Sequence, residues 1–353
     1  MQIVKTAQLH LSRHYKVTRR GIQIALGLLW LLDGVLQLQP GMFTASFASN
    51  VIAPAAEGQP AFVSAPMHFV ITIFLLQPAL FNALAALTQL GLGLLILWKR
   101  TSNLGLWCSV GWGLFVWYIG EGLGGLAGGH ALLLMGAPGA ALIYVLLALG
   151  VRTPKKPRSP GGLRPAYWLL VAWAGLWTLG SIYQLLPGQN TVTNAIAMIQ
   201  ANTASAPVWL TNVDNDAAQS LAHLARTNLP ITMTAMQMGD LGSPTQIQMT
   251  PPQAAAGRWF LWLVVAVQVA IGLAVFKPGL IRWLAVLAGC LLGSVYWVVG
   301  QSMGSWYSGM ATDPGTGPLF VLLGIAVLGC ASEGLQVCRY FTFAQAQITT
   351  KLR

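Results

Sequence analysis

The chain has 353 residues, of which 55% are hydrophobic and 8% charged, with 19 basic against 8 acidic residues for a formal net charge of +11. A soluble domain carries about 25% charged residues, so this composition excludes one and indicates an integral membrane protein. The basic excess is explained by topology and comes with no basic-aromatic recognition motif, which excludes nucleic acid as a partner.

Residues 1–20 place Ile3, Val4, Ala7 and Leu11 at helical spacing among basic residues, the pattern of an amphipathic segment lying on the cytoplasmic leaflet. A spanning helix needs roughly 20 mostly apolar residues. Apolar runs near 21–39, 76–98, 104–121 and 138–151 give four expected spans, with Asp33 interrupting the first. Between the first two, residues 40–75 carry Pro54, Pro60 and Pro66 and read as a proline-broken extracytoplasmic cap. The linker RTPKKPRSPGGLRP at 152–165 has the Pro, Gly and basic content of a loop. Four more spans are expected near 166–186, 259–276, 282–302 and 318–337, with a polar insertion at 188–257 and a tail at 339–353.

Of the 19 Lys and Arg, 17 fall before the first span, after the even-numbered spans or in the linker; Arg226 and Arg258 are the exceptions. This positive-inside bias predicts a multi-pass protein of the cytoplasmic membrane with both termini cytoplasmic.

The halves match. Trp30, Gln37, Pro40, Gly41 and Pro60 fall on Trp177, Gln184, Pro187, Gly188 and Pro207 at a constant offset of 147. After an insertion of 32 residues in the second half (179 minus 147), Gln89 falls on Gln268 and Gly93 on Gly272. One position later in register, Gly113, Trp117, Gly120, Gly124 and Pro138 fall on Gly293, Trp297, Gly300, Gly304 and Pro318. The expected fold is therefore an all-α integral membrane protein with eight transmembrane helices, arranged as two tandem, parallel-oriented four-helix bundles (21–151 and 166–338) with extracytoplasmic caps.

Ionisable side chains within a bilayer are costly and are functional candidates by default. Asp33 lies 13 residues beyond Arg20, roughly 20 Å along a helix with a rise of about 1.5 Å per residue. Its match is Gly180, and Glu121 is matched by Gln301, so the first half holds two acids where the second is neutral. Asp33 and Glu121 are candidates for proton handling or a ligand site; the plain alternative for Asp33 is a hydrogen bond to backbone or indole N–H within the bundle. His68 and His130, together with Met310 at the position matching His130, are candidate cofactor ligands, being imidazole and thioether donors. Met233, Met236 and Met238 in the insertion are of the type that suits Cu(I), and equally serve as flexible packing. The glycines at 120, 124 and 128, and the small residues at 300, 304 and 308, have the four-residue spacing of helix packing in lipid. Cys108, Cys290, Cys330 and Cys338 form no CxxC pair, which argues against dithiol oxidation as the chemistry.

The first span WLLDGVLQLQP, the proline-rich cap, and QLGLGLLILWKR closing the second span on basic residues resemble the DoxX/DoxD-like membrane proteins. The resemblance covers both halves at the level of architecture. It implies redox chemistry at the membrane, since the family includes the large subunit of a thiosulfate:quinone oxidoreductase. The acid usual near the start of the second span's glycine motif is here Gln89, and no catalytic residue is carried over. The expected function is a redox-associated membrane subunit that works with the quinone pool or anchors an extracytoplasmic oxidoreductase, with other subunits bound through the 188–257 loop. The alternatives are a non-catalytic accessory subunit of a larger membrane complex and a copper- or haem-binding membrane protein.

Overall fold

The computed structural model describes residues 18–152, 165–201, 206–224 and 258–329, and all regular structure among them is helical. The N-terminal segment, most of the linker, the C-terminal tail and the stretch holding Met233, Met236 and Met238 lie outside the described residues.

Helix α1 (Arg19–Leu36) starts where the Thr18 hydroxyl accepts the Gly21 N–H at 3.0 Å, satisfying one of the orphan donors of a first turn. Short helical turns over 40–56 lead to α2 (Ala61–Leu76), and a break at Gln77 (φ −148°, ψ 73°) redirects the chain into α3 (Pro78–Leu97). The sequence pattern predicts a broken cap over 40–75, whereas 61–76 is a regular helix. Pro60 sits at its N-cap, where its missing N–H costs nothing. Pro66 lies inside the helix and deprives the Phe62 carbonyl of its usual donor; the Tyr118 hydroxyl supplies one instead, at 2.6 Å.

Helix α4 (Ser102–Phe115) widens into a π-helical stretch at Val116–Gly120. After an irregular loop comes α5 (Ala140–Val151), then α6 (Pro165–Gln184), α7 (Val192–Ala201), α8 (Val208–Leu224), α9 (Arg258–Ala274), α10 (Leu280–Val299) and α11 (Thr316–Gly329). Two helices, Pro78–Leu97 and Leu280–Ser308, are long and apolar enough to cross a membrane by length and composition. The described residues of the other six expected spans are also helical, and α5 spans only 12 residues.

One core joins both halves. Trp30 and Tyr144 of the first half and Trp173, Trp177 and Phe320 of the second belong to a single buried cluster, with Tyr144 on α5 and Phe320 on α11. The ring pair Trp30–Tyr144 (centroids 4.4 Å apart) recurs at Trp177–Phe320 (5.4 Å). The main helix crossing recurs too. A Cβ on Gly93 would lie 2.8 Å from the Gly27 carbonyl oxygen, and one on Gly272 would lie 3.1 Å from that of Ala174, so α3 on α1 and α9 on α6 approach backbone to backbone. Leucine at Gly93 is expected to force this crossing apart and lower the Tm in detergent by many degrees. Leucine at Gly91, whose Cβ would meet nothing within 4 Å, should leave it nearly unchanged. Equal melting of the two variants would show that the crossing is not what holds α1 to α3.

The ends of the helices differ in charge. Arg19, Arg20, Lys99, Arg100, Arg152, Lys277 and Arg282 gather at one end, where Arg20 donates to the carbonyls of Ile96 and Leu97 and Arg282 to that of Val275. Glu57, Glu121, Asp214 and Asp313 lie at the opposite, acidic end.

Candidate functional site

At the acidic end α4 closes onto α5, and α10 onto α11, by the same two bonds. The Trp117 indole donates to the Pro138 carbonyl and the Trp297 indole to that of Pro314, both at 2.6 Å. Glu121 Oε1 accepts the Ala141 N–H and Gln301 Oε1 the Thr316 N–H, both at 3.0 Å, so each side chain caps the helix that follows. Gly139, at φ +104°, leaves the space for the Glu121 carboxylate; a Cβ there would lie 2.0 Å from Oε2.

The glycines near these caps serve turns. Four-residue spacing predicts a helix-packing stripe through Gly120, Gly124 and Gly128, but the helix ends at Gly120. Leu123 and Gly124 then turn left-handed at φ +56° and +62°, a backbone that glycine adopts at no steric cost. Met303 and Gly304 repeat the turn at φ +57° and +77°.

The loops that follow these turns are exchanged between halves. Leu133 of the first half packs against Gly180, where a Cβ would fall 2.4 Å from Leu133 Cγ. Asp313, which stands 180 residues after Leu133, reaches back to the first half and lines a cavity with Asp33. Each loop thus delivers one side chain beside the Asp33/Gly180 position of the other half: leucine in one case, aspartate in the other.

The cavity has a volume of about 400 Å³. Trp30, Phe47, Phe74, Phe81, Trp112 and Phe115 make its walls aromatic, and Asp33, Gln37, Gln89, Glu121, Tyr144 and Asp313 supply its polar groups. Asp33 is 2% exposed, and the Tyr144 hydroxyl lies within reach of its carboxylate. Asp313 accepts from the Thr312 hydroxyl at 2.7 Å and from the Gly315 N–H at 2.8 Å. Burial nevertheless holds its carboxyl above the ordinary carboxylate range, because desolvation of the charged form outweighs these bonds. Among the described residues no Lys or Arg lines the cavity.

A second, more open cavity of about 550 Å³ adjoins the first at the acidic end. Glu121, Asp313, Thr312, Ala140 and Val51 belong to both, and Gln59, His130, Gln301 and Thr316 line the outer one. The two form a path from a polar vestibule to an aromatic interior, with the two carboxylates at the junction.

Asp33 and Glu121, singled out from the sequence, therefore line one cavity. His130 is exposed at the vestibule, its ring packed where a Cβ on Gly128 would sit. His68 is exposed on α2 and lines neither cavity. Met310 packs beside Gly41 onto the cluster of Met42 and Phe47, as apolar packing material. Among the described residues no group of three or more His, Cys, Asp or Glu is placed to hold a metal ion. Asp313 and Tyr144 are the members that sequence reasoning missed.

Asp214 on α8 is a separate buried acid, 0% exposed, with Ser302 beside it. Burial raises its pKa from 3.8 to about 6, partly opposed by the Ser302 hydroxyl. A raised carboxylate stabilises the fold in its neutral form, so its contribution is present in acid and lost as pH rises through about 6. Asp214→Asn is expected to remove this component, flattening the fall of Tm with pH over that window; an unaltered profile would assign the fall to other groups.

No protein-family model, no curated protein and no solved structure matches this chain.

Proposed function

We propose that this is a multi-pass protein of the cytoplasmic membrane, with its basic end cytoplasmic, that works with the quinone pool as a membrane subunit of a redox system, in line with its DoxX/DoxD-like resemblance. The eight helices α1, α3, α4 with its π extension, α5, α6, α9, α10 and α11 are its spans. Apolar side chains on the outside support the membrane reading: Phe69 and Leu87 are each 66% exposed, Leu94 62% and Leu291 61%. Such a surface is costly in water and suited to lipid. Seven basic residues at one end and exposed Trp98, Trp107 and Trp283 near them fit a cytoplasmic interface.

The observation that carries the functional reading is the cavity itself. It combines aromatic walls for an isoprenoid-bearing ring with carboxylates, amides and a phenol to hold the ring's oxygens, and it continues into a polar vestibule for proton exchange. The test is binding of a short-chain benzoquinone to the protein in lipid nanodiscs, read as a saturable rise in Tm. Ala85 lines the cavity, so Ala85→Trp should abolish the rise while leaving the unliganded Tm close to that of the parent protein. A parent protein that shows no saturable effect would refute the reading. It would favour instead an accessory subunit that docks through α8, where Val208 and Trp209 are 78% and 54% exposed.

A further inference from the structure

We propose that the cavity is loaded from within the bilayer through a lateral mouth between α3 and α4, by an amphiphile whose ring enters while its long chain stays in lipid. This rests on the quinone-pool reading above and adds the route of entry and the place of the chain.

Exposure locates the mouth. Among the described residues that line the inner cavity two are exposed, Leu84 at 50% and Phe115 at 45%. Leu84 belongs to α3 and Phe115 to α4, so the cavity wall reaches the outer surface between these two helices. At the basic end the pair is shut: a Cβ on Gly105 would lie 2.8 Å from the Ile96 backbone nitrogen. Seven residues nearer the acidic end on each helix (112 minus 105, and 96 minus 89), Trp112 and Gln89 both line the cavity. The two helices therefore close on each other below and part above.

The rim of this opening is apolar. Leu80, Leu87 and Leu114 beside it are 49%, 66% and 43% exposed, and no Lys, Arg, Asp or Glu occurs in 78–98 or 101–120. Thr88, one turn from Leu84, spends its hydroxyl on the Leu84 carbonyl at 2.8 Å. Leu84 stands 15 residues from Lys99 (99 minus 84), roughly 22 Å along the helix and so within a hydrocarbon core of about 30 Å.

The other way out of the cavity passes Glu121 and Asp313 into the vestibule. An apolar chain laid there would strip water from two carboxylates and give them no hydrogen bond in return, a cost absent between leucine and phenylalanine. Size points the same way. At about 400 Å³ the cavity is near the lower end of the range, about 300–1,000 Å³, that encloses a drug-sized ligand, so it holds a ring and the start of a chain while the rest of an isoprenoid tail lies outside.

The path of the chain can be read with a decyl benzoquinone that carries a diazirine at the far end of its tail. It is photolysed on the protein in lipid nanodiscs with and without excess unmodified decyl benzoquinone, and the adducts are mapped by peptide mass spectrometry. Label that the competitor removes should fall on Leu84, Phe115 and their outward neighbours Leu80, Leu87 and Leu114. Leu84→Trp, at an exposed position that narrows the mouth, should lose most of this competed label. Leu87→Trp, on the same face but outside the cavity lining, should keep it. Competed label on Gln59, His130 or Gln301 of the vestibule, or equal labelling of the two Trp variants, would overturn the lateral route and leave the quinone-pool reading standing. Absence of any competed label would sink both.

Discussion

Leu133→Asp is expected to be among the most damaging single substitutions in this chain, lowering stability by about 3–5 kcal/mol, because it leaves a carboxylate in an apolar core with no partner. Leu133 is 3% exposed and packs against Gly180 within the cluster that contains Trp173, Trp177 and Phe320. The reciprocal change should have the opposite character. Asp313→Leu removes a desolvated acid from the cavity, so the Tm should hold or rise while binding of the short-chain benzoquinone is lost. Thermal melts and ligand titrations of the two variants, side by side in detergent, check the pair. A parent-like Tm for Leu133→Asp would mean that the two loops do not occupy corresponding places.

The second large effect concerns the cap at Glu121. Glu121→Ala is expected to cost about 1–3 kcal/mol, since the buried Ala141 N–H loses its acceptor. Glu121→Gln should cost far less, because Gln301 makes the same bond with an amide. What the amide cannot do is take up a proton. The Gln variant should therefore melt like the parent protein, and its ligand binding should show no pH dependence arising from this position. If Gln and Ala melt alike, the carboxylate contributes charge rather than a cap.

Much of the helical layout is legible in the sequence, because an apolar run of about 20 residues declares itself wherever it occurs. Asp33 and Glu121 are legible for two reasons: each interrupts or ends such a run, and the matched residues Gly180 and Gln301 are neutral. Asp313 is not. It sits in a polar loop where an acid is unremarkable, and only its match to Leu133 at the 180-residue offset marks it. Tyr144 is hidden by a slip in register, since its partner Phe320 stands 176 residues on. The cap over 40–75 misleads because a proline inside a helix normally ends it, and nothing local to Pro66 announces that Tyr118 will answer the Phe62 carbonyl. The glycine stripe misleads because four-residue spacing is common to helix faces and to consecutive left-handed turns.

The crossed loops bear on how such a molecule could come to be asymmetric. In a symmetric pair of identical single units, whatever residue stands at the loop position would be inserted beside both pockets, so an acid that equips one would also burden the other. Joining the units in one chain removes that constraint. One pocket can be sealed with leucine and given over to rigidity, and the other can keep its acids at a cost in stability that the sealed half offsets.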